Sequence, residues 1–415
     1  MILNFLRKNK KMNIVIFASD SKGVASVINV VRELKNTNHD YFFLYSQETQ
    51  LQFPTHNLDK FAYDSNILED NWEGVWSDSL NVHLPFIPNV LLIQRDRWQP
   101  EQSIIHEFKQ KWNCKITLVE INTQLTNNPE TILEMHSRTK YPQNQIDLYF
   151  EQSEFTKQER GKSGFDISKS VVTGNPKFDN LLEIKTEYCY EKYNIDKNKT
   201  QILFYSLINV SSNEMFKCLE NLVKKIDHSK YEIFFKPYPG EPFLENFQKQ
   251  FFPFIYENVK VIYDDIDIFA IAKICDIHIG AISSIIHFPL LLNKKIININ
   301  NFCTYLDGAS SLEKYLAENS VGIEDSAKFW MRVHSLSTYE DFINLVNPER
   351  IKSYKKDINY FISIVKECTI DYDFELNCLN KKMPNTEKLL KLFDKFNDFN
   401  SSKRIVKEIE KLVLL

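Results

Sequence analysis

The chain has 415 residues, more than one hydrophobic core usually organises, so we expect two domains of ~150–200 residues. A net charge of -4 gives no general attraction to nucleic acid, and we expect no nucleic-acid partner. Seven cysteines without a CxxC spacing or a Cys/His cluster, and no apolar run of ~18 residues, indicate a cytoplasmic protein with reduced thiols, no structural zinc and no membrane span.

The first part of the chain alternates strand-like and helical segments. The apolar segment NIVIFAS precedes a polar turn at residues 20–23 and a helix with apolar residues at three- and four-residue spacing. Strand-like segments recur at DYFFLYS, NVLLIQ and CKITLVE, with a helical stretch at 100–112 between the last two. This alternation predicts a doubly wound α/β domain, whose ligands bind at the carboxyl ends of its parallel strands.

Polar residues follow three of these strands. The candidate catalytic bases are the carboxylates at those positions: Asp20, Asp96 and Glu120. The candidate ligand-binding residues beside them are the nearby cations and the glycine of the first turn: Lys22, Gly23, Arg95 and Arg97. A carboxylate there could accept the proton of an attacking hydroxyl, and paired arginines bind anions. Two alternatives stay open, since Asp20 could cap the following helix and the arginines with Asp96 could form a surface ion-pair set.

A polar, lysine-rich segment predicts the border between two domains. The strand-like KSVV runs into Thr173-Gly174-Asn175-Pro176, where glycine and proline end the strand and turn the chain. Residues 194–200 then read as a linker. We therefore expect a first domain at 1–190, a second at 200–368 and a helical tail at 369–415.

The second domain repeats the alternation and contains a predicted phosphate-binding turn. A strand at 277–279 runs into Gly280-Ala281-Ile282-Ser283-Ser284, where a helix is predicted to begin. Backbone N–H groups, two hydroxyls and the positive end of the helix dipole would meet there, although a serine is also favoured as a plain helix cap. The candidate phosphate- or nucleotide-binding residues lie at or just after the ends of this and two other predicted strands: Ser206, Lys236, Tyr238, Glu241, Gly280, Ser283 and Ser284. For Lys236, Tyr238 and Glu241 the alternative is a rigid turn set by two prolines.

The tail is amphipathic and basic. Apolar residues recur at helical spacing around Leu389 and Phe393, and again around Ile405 and Ile409, and residues 381–415 hold nine Lys and Arg against five Asp and Glu. Such a segment could rest on the anionic inner membrane, or it could pack on its own domain or on a partner.

The motifs TGNPKFD, KPYPGE and Gly-x-x-Ser-Ser, set in two doubly wound halves, resemble the GT-B superfamily of nucleotide-sugar glycosyltransferases. More narrowly the pattern is similar to bacterial capsule and teichoic-acid transferases, including CDP-glycerol glycerophosphotransferases and CMP-sugar-using sialyl- and Kdo-transferases. The stretch VTGNPKFD is also similar to one in UDP-GlcNAc 2-epimerases. Where those transferases usually have Lys-x-His-Pro, this chain has Tyr238 at the histidine position, which removes a group that titrates near neutrality.

The resemblance implies two Rossmann-like domains facing a central cleft. It implies transfer of a sugar or polyol phosphate from a nucleotide-activated donor, CMP- or CDP-linked, to a cell-surface or lipid-linked glycan acceptor, without a cofactor or a metal. On this resemblance the candidate residues of the second domain would bind the donor, and those of the first domain would bind the acceptor and supply the base. Residues 264–267 hold three aspartates but no histidine and no regular ligand spacing, which agrees with the absence of a metal. Two alternatives remain, a nonhydrolysing UDP-GlcNAc 2-epimerase and a non-catalytic nucleotide- or glycan-binding subunit.

Overall fold

The computed structural model describes twelve stretches of the chain. They are residues 11–19, 21–47, 72–75, 83–94, 99–119, 145–162, 166–205, 212–237, 257–262, 267–280, 287–299 and 348–414. The chain divides into two compact units. The first unit comprises Met1–Asn122, Arg138–Leu182 and Leu392–Leu415, and the second comprises Thr123–Ser137 and Glu183–Lys391.

Strands and helices alternate through both units. The described strands are β1 (Asn13–Ala18), β2 (Asp40–Ser46), β3 (Trp72–Val75), β4 (Val90–Ile93), β5 (Lys115–Val119), β6 (Leu148–Glu151), β7 (Ser170–Val172), β8 (Thr200–Tyr205), β9 (Tyr231–Lys236), β10 (Lys260–Val261), β11 (Ile277–Gly280), β12 (Lys295–Asn298) and β13 (Ile370–Asp371). The described helices are α1 (Ser21–Lys35), α2 (Gln99–Trp112), α3 (Glu154–Lys162), α4 (Glu187–Lys192), α5 (Ser212–Lys225), α6 (Asp267–Ile274), α7 (His287–Leu291), α8 (Pro348–Cys368), α9 (Glu387–Phe393) and α10 (Ser401–Leu414).

The first unit is built on a parallel sheet with strand order β3-β2-β1-β4-β5-β6-β7. Both faces of β1 are buried, which is why its sequence is a continuous apolar run. Ile14 and Ile16 pack in the core beneath α1 and α10, whereas Val15 and Phe17 pack on the opposite face beneath α2. Helices therefore cover both sides, as in a doubly wound domain.

The second unit is built on a parallel sheet with strand order β10-β9-β8-β11-β12-β13. This is the 3-2-1-4-5-6 order of the Rossmann fold, and the order reverses between β8 and β11. Phe204 and Ile279 from these two central strands pack with Leu219 and Leu222 of α5. The prediction of two doubly wound α/β domains is confirmed.

The structure differs from the sequence expectations at the element borders. Strands β3 and β13 were not predicted, since each is short and its pairing depends on a neighbour distant in sequence. Residues 194–200, expected as a linker, lie within the second unit, where the Gln201 amide donates to the carbonyls of Asp196 and Lys199. The expected tail is divided, because the chain returns to the first unit at Leu392.

Candidate functional site

Three buried polar side chains meet where the strand order of the first sheet reverses. Ser19 follows β1 and Gln94 follows β4, and Glu101 lies in the first turn of α2. The Gln94 Nε2 donates to Ser19 Oγ at 2.9 Å and to Glu101 Oε1 at 3.1 Å, and the Ser19 hydroxyl also donates to Glu101 Oε1. None is more than 4% exposed. We call these three residues the first-unit polar cluster.

The cluster explains the glycine of the first turn. A Cβ at Gly23 would lie 2.7 Å from both Cγ and Cδ of Gln94, so only glycine lets α1 pass this close to the Gln94 side chain. Lys22, the other predicted residue in this turn, belongs to α1, and its side chain lies outside the described residues. The turn is therefore shaped for packing against Gln94, which supplies a structural reason for Gly23.

Two donors converge on one oxygen of Glu101. Glu101 Oε1 accepts from both Ser19 and Gln94, and a carboxylate in the first turn of a helix is stabilised by the helix dipole. Hydrogen bonds to a charged acceptor are stronger than neutral ones. The Glu101 carboxyl group thus accepts two hydrogen bonds in a site that is closed to solvent.

A row of residues marks the corresponding edge of the second sheet. Lys236 pairs with Tyr205, and Gly280 pairs with Asn298. The position of a Cβ at Gly280 is 3.2 Å from the Cβ of Tyr205, so the two pairs adjoin. Lys236 is the last residue of β9 and is 6% exposed. The row therefore brings a buried ammonium and a glycine to the carboxyl ends of β9 and β11, on either side of β8, next to the reversal point where open α/β sheets bind ligands.

Beneath this row lies a buried tyrosine and histidine pair. The Tyr205 hydroxyl lies 2.7 Å from His278 Nδ1, and the two rings stack with centroids 5.7 Å apart. Burial lowers the pKa of His278 to about 3, with a further lowering by Lys294, while nearby carbonyls oppose the shift. Burial raises the pKa of Tyr205. Both groups are therefore neutral at physiological pH, and the pair joins β8 to β11.

The sequence-predicted site residues fall into two groups. Gly23, Lys236 and Gly280 are described, and the last two share the edge of the second sheet. The remaining candidates lie outside the described residues: Asp20, Arg95, Asp96, Arg97, Glu120, Ser206, Tyr238, Glu241, Ser283 and Ser284. The predicted helix start at Ser283 is among these positions, and the described helix α7 begins at His287.

Sequence reasoning did not find the first-unit polar cluster or the tyrosine and histidine pair. Glu101 reads as an ordinary acidic residue in the first turn of a helix, and His278 as one polar residue in an apolar strand. One signal was available in the sequence, where Gln94 directly follows an apolar strand. The structure shows that this glutamine is only 4% exposed, which is unusual because glutamine side chains are mostly exposed.

The TGNPKFD motif forms the attachment point of the returning tail. Gly174 has φ +90, and a Cβ there would lie 2.9 Å from Asp394 Oδ1. The backbone N–H of Asn175 donates to Asp394 Oδ2 at 2.9 Å, and Asp179 accepts from the backbone N–H of Ser402 at 2.5 Å, at the start of α10. Burial raises the pKa of both aspartates. The motif therefore has a structural role within the first unit.

The apolar face of α10 is occupied. Ile405, Val406 and Ile409 are buried in the core shared with α1, and Val413 packs against its margin. Of the two expectations for the tail, packing on its own domain describes these residues. Within the described stretches, no helix has an apolar segment long enough to cross a membrane. The same stretches contain no group of three His, Cys, Asp or Glu residues arranged to hold a metal.

The comparisons with known proteins identify the fold. A scan against protein-family models and a search of curated proteins found no match. Among solved structures, the UDP-GlcNAc 2-epimerase of Neisseria meningitidis bound to UDP-GlcNAc is 15% identical, with 96% of this chain and 100% of that chain covered and a TM-score of 0.54. The UDP-GlcNAc 2-epimerase of Methanocaldococcus jannaschii is 15% identical, with 97% and 100% covered and a TM-score of 0.56. A structure of the latter enzyme in complex with UDP-GlcNAc and UDP gives a TM-score of 0.55 at 15% identity, covering 96% of this chain and 100% of that chain.

These similarities extend over nearly the whole chain. The two Rossmann-like units of this protein therefore belong to a fold that it shares with these enzymes. At 15% identity the likeness concerns the fold.

Proposed function

We propose that this protein is a nucleotide-sugar enzyme whose second unit binds the nucleotide diphosphate, and that it epimerises a UDP-linked sugar such as UDP-GlcNAc. The observation that carries the proposal is the edge of the second sheet. Lys236 and Gly280 end strands on either side of Tyr205, at the strand-order reversal of a Rossmann-type sheet. An ammonium beside a strand end without a Cβ is suited to a phosphate that approaches the backbone.

The choice of a UDP-sugar follows the fold comparisons. Both epimerases cover this chain almost end to end, and both have been solved with UDP-GlcNAc. We propose that the phosphates contact Lys236, Gly280 and the hydroxyls of Ser283 and Ser284, with Ser206, Tyr238 and Glu241 near the nucleoside or sugar. This assignment extends the described edge into segments that follow directly in the sequence.

For inversion at C2, a base removes the C2 proton while the electron pair forms a C1–C2 double bond and UDP leaves C1. The reverse addition then returns a proton to C2 on the opposite face and UDP to C1. We propose that this base is one of the carboxylates Asp20, Asp96 and Glu120. Asp20 directly follows Ser19, and Asp96 comes two residues after Gln94, so both continue from the first-unit polar cluster. The reaction requires no acceptor and, in this proposal, neither a cofactor nor a metal.

The decisive experiment incubates the full chain with UDP-GlcNAc in D₂O, without an acceptor. We expect a second UDP-sugar with inverted C2 configuration and deuterium at C2, detected by NMR, because the proton on the base exchanges with solvent. Addition of EDTA is expected to leave the rate unchanged. The enzyme used must first be shown to bind UDP in a saturable manner. If such enzyme then returned UDP-GlcNAc without deuterium, epimerisation of this substrate would be refuted.

Glycosyl or polyol-phosphate transfer is the second candidate. The observation that favours it is the sequence KPYPGE, which begins at the last residue of β9 and resembles the corresponding motif of capsule and teichoic-acid transferases. In this case the same carboxylates would deprotonate a glycan acceptor, and Arg95 and Arg97 with Lys22 would bind it. Release of CMP or CDP from an activated donor, only when a glycan acceptor is present, would establish transfer in place of epimerisation.

Nucleotide binding is tested separately from turnover. A thermal-shift screen against UDP, UMP, CDP, CMP and GDP is expected to give the largest stabilisation with UDP. Lys236→Met should remove most of that shift, whereas the control Lys230→Met should keep it, since Lys230 is 74% exposed and pairs with Asp227. Ser283→Ala/Ser284→Ala tests the phosphate contacts in the same assay. Binding without any turnover would identify a non-catalytic nucleotide-binding subunit.

A further inference from the structure

We infer that Glu101 is a positioning residue that fixes the two first-unit segments leading into the candidate bases. It acts through Ser19 and Gln94. Its consequence for catalysis rests on the proposed function, whereas its consequence for the mobility of these segments does not. Any substrate on the first unit, sugar or acceptor, would depend on the same support.

One carboxylate oxygen joins three distant parts of the chain. Glu101 Oε1 accepts from Ser19, which is 82 residues earlier and directly follows β1, and from Gln94, which directly follows β4. Gln94 also donates to Ser19 and lies in van der Waals contact range of Gly23 at the start of α1. A single acceptor therefore holds the carboxyl ends of two central strands and the first turns of two helices.

The chemistry requires an acceptor that is always available. Both neighbours donate to Glu101 Oε1, and a carboxylate accepts such bonds with about twice the strength of a neutral amide oxygen. All three side chains are buried, so solvent does not replace a lost bond. Weakening this shared acceptor therefore loosens both segments at once.

The support lies immediately before the candidate bases. Ser19 is bonded in sequence to Asp20, and Gln94 is followed by Arg95 and Asp96. Because consecutive Cα atoms are roughly 3.8 Å apart, a displaced Ser19 or Gln94 carries its neighbour with it. Misplacement of a catalytic group by 1 Å costs on the order of 10²-fold in rate.

The test compares two variants with a control in the same helix. Glu101→Gln keeps the shape and one acceptor oxygen but replaces the other oxygen by an NH₂ group, and Ser19→Ala removes both a donor to Glu101 and the acceptor of the Gln94 amide. The control is Glu107→Gln, a partly exposed glutamate of α2 paired with Lys111. We measure kcat and KM for UDP-GlcNAc epimerisation, and amide hydrogen exchange by mass spectrometry in peptides covering residues 16–24 and 91–101.

For both cluster variants we expect kcat to fall on the order of 10²-fold with KM nearly unchanged. Exchange in the two peptides should become about 10-fold faster. Stabilisation by UDP should remain, because the second unit is unaltered, and the control should match the parent in all measurements. Faster exchange in both peptides supports the inference even if the parent shows no turnover. The absence of turnover in the parent would refute only the proposed function. Parental exchange in both variants would overturn it, as would a KM effect without a kcat effect in an active parent.

Discussion

Replacing His278 by glutamine is expected to abolish a strong pH dependence of the stability of the second unit. His278 is fully enclosed between the sheet and α6, and its pKa lies at about 3 in the folded chain. The unfolded chain takes up a proton at ~6.5, so between these values the unfolded state binds a proton that the folded state excludes. The second unit therefore has its full stability above pH 6.5, and it loses stability progressively as the pH falls from 6.5 toward 3.

The size of the effect follows from the proton balance. Each pH unit below ~6.5 costs about 1.4 kcal/mol, so the folded second unit loses ~3 kcal/mol by pH 4.5. Glutamine does not titrate, and its side-chain oxygen can accept the hydrogen bond of Tyr205. His278→Gln should therefore cost stability at pH 7, where the stacking with Tyr205 is lost, yet show a flatter pH profile.

The assay is hydrogen exchange of peptides covering β8 and β11 in the full chain, corrected for intrinsic exchange rates, between pH 4.5 and 7. The matched control is Leu203→Ala, which removes a fully buried side chain of β8 without changing any titratable group. It is expected to cost ~2–5 kcal/mol equally at every pH. If parent and His278→Gln showed parallel profiles, the assignment of a neutral, desolvated His278 would be refuted.

Three further variants probe the first unit. Asp147→Asn should lower the free energy of unfolding at pH 7 by about 2 kcal/mol, since Lys109 and the Ile116 N–H donate hydrogen bonds to the carboxylate. Burial raises the pKa of Asp147, but these hydrogen bonds outweigh it and lower the pKa below 3.8. In urea titrations the difference between Asp147→Asn and the parent should therefore vanish as the pH falls below 3.8. Gly174→Ala should cost roughly 1–3 kcal/mol in thermal unfolding because φ is +90, and an unchanged midpoint would contradict the attachment role of the motif. Ile409→Ala should cost ~2–5 kcal/mol and expose the tail to limited proteolysis, whereas parental protease resistance would contradict burial of this face of α10.

The amino-acid sequence alone determined the class of fold. Apolar runs such as NIVIFA and QILFY are buried on both faces, and that pattern, alternating with amphipathic helices, indicates parallel strands within two doubly wound sheets. It also indicated the strand ends at which Lys236 and Gly280 lie, because strand borders follow from local composition. The resemblance carried by TGNPKFD agreed with the GT-B fold, although the residues of this motif serve to attach the tail.

Only the tertiary structure decided which distant side chains meet. Periodicity and turn signals report on residues a few positions apart, whereas Glu101 meets Ser19 across 82 residues and Ser402 meets Asp179 across 223. Such contacts depend on strand order and on helix packing, which many sequences with the same local pattern could satisfy differently. For the same reason the role of Gly23 became apparent only when Gln94 was found against it.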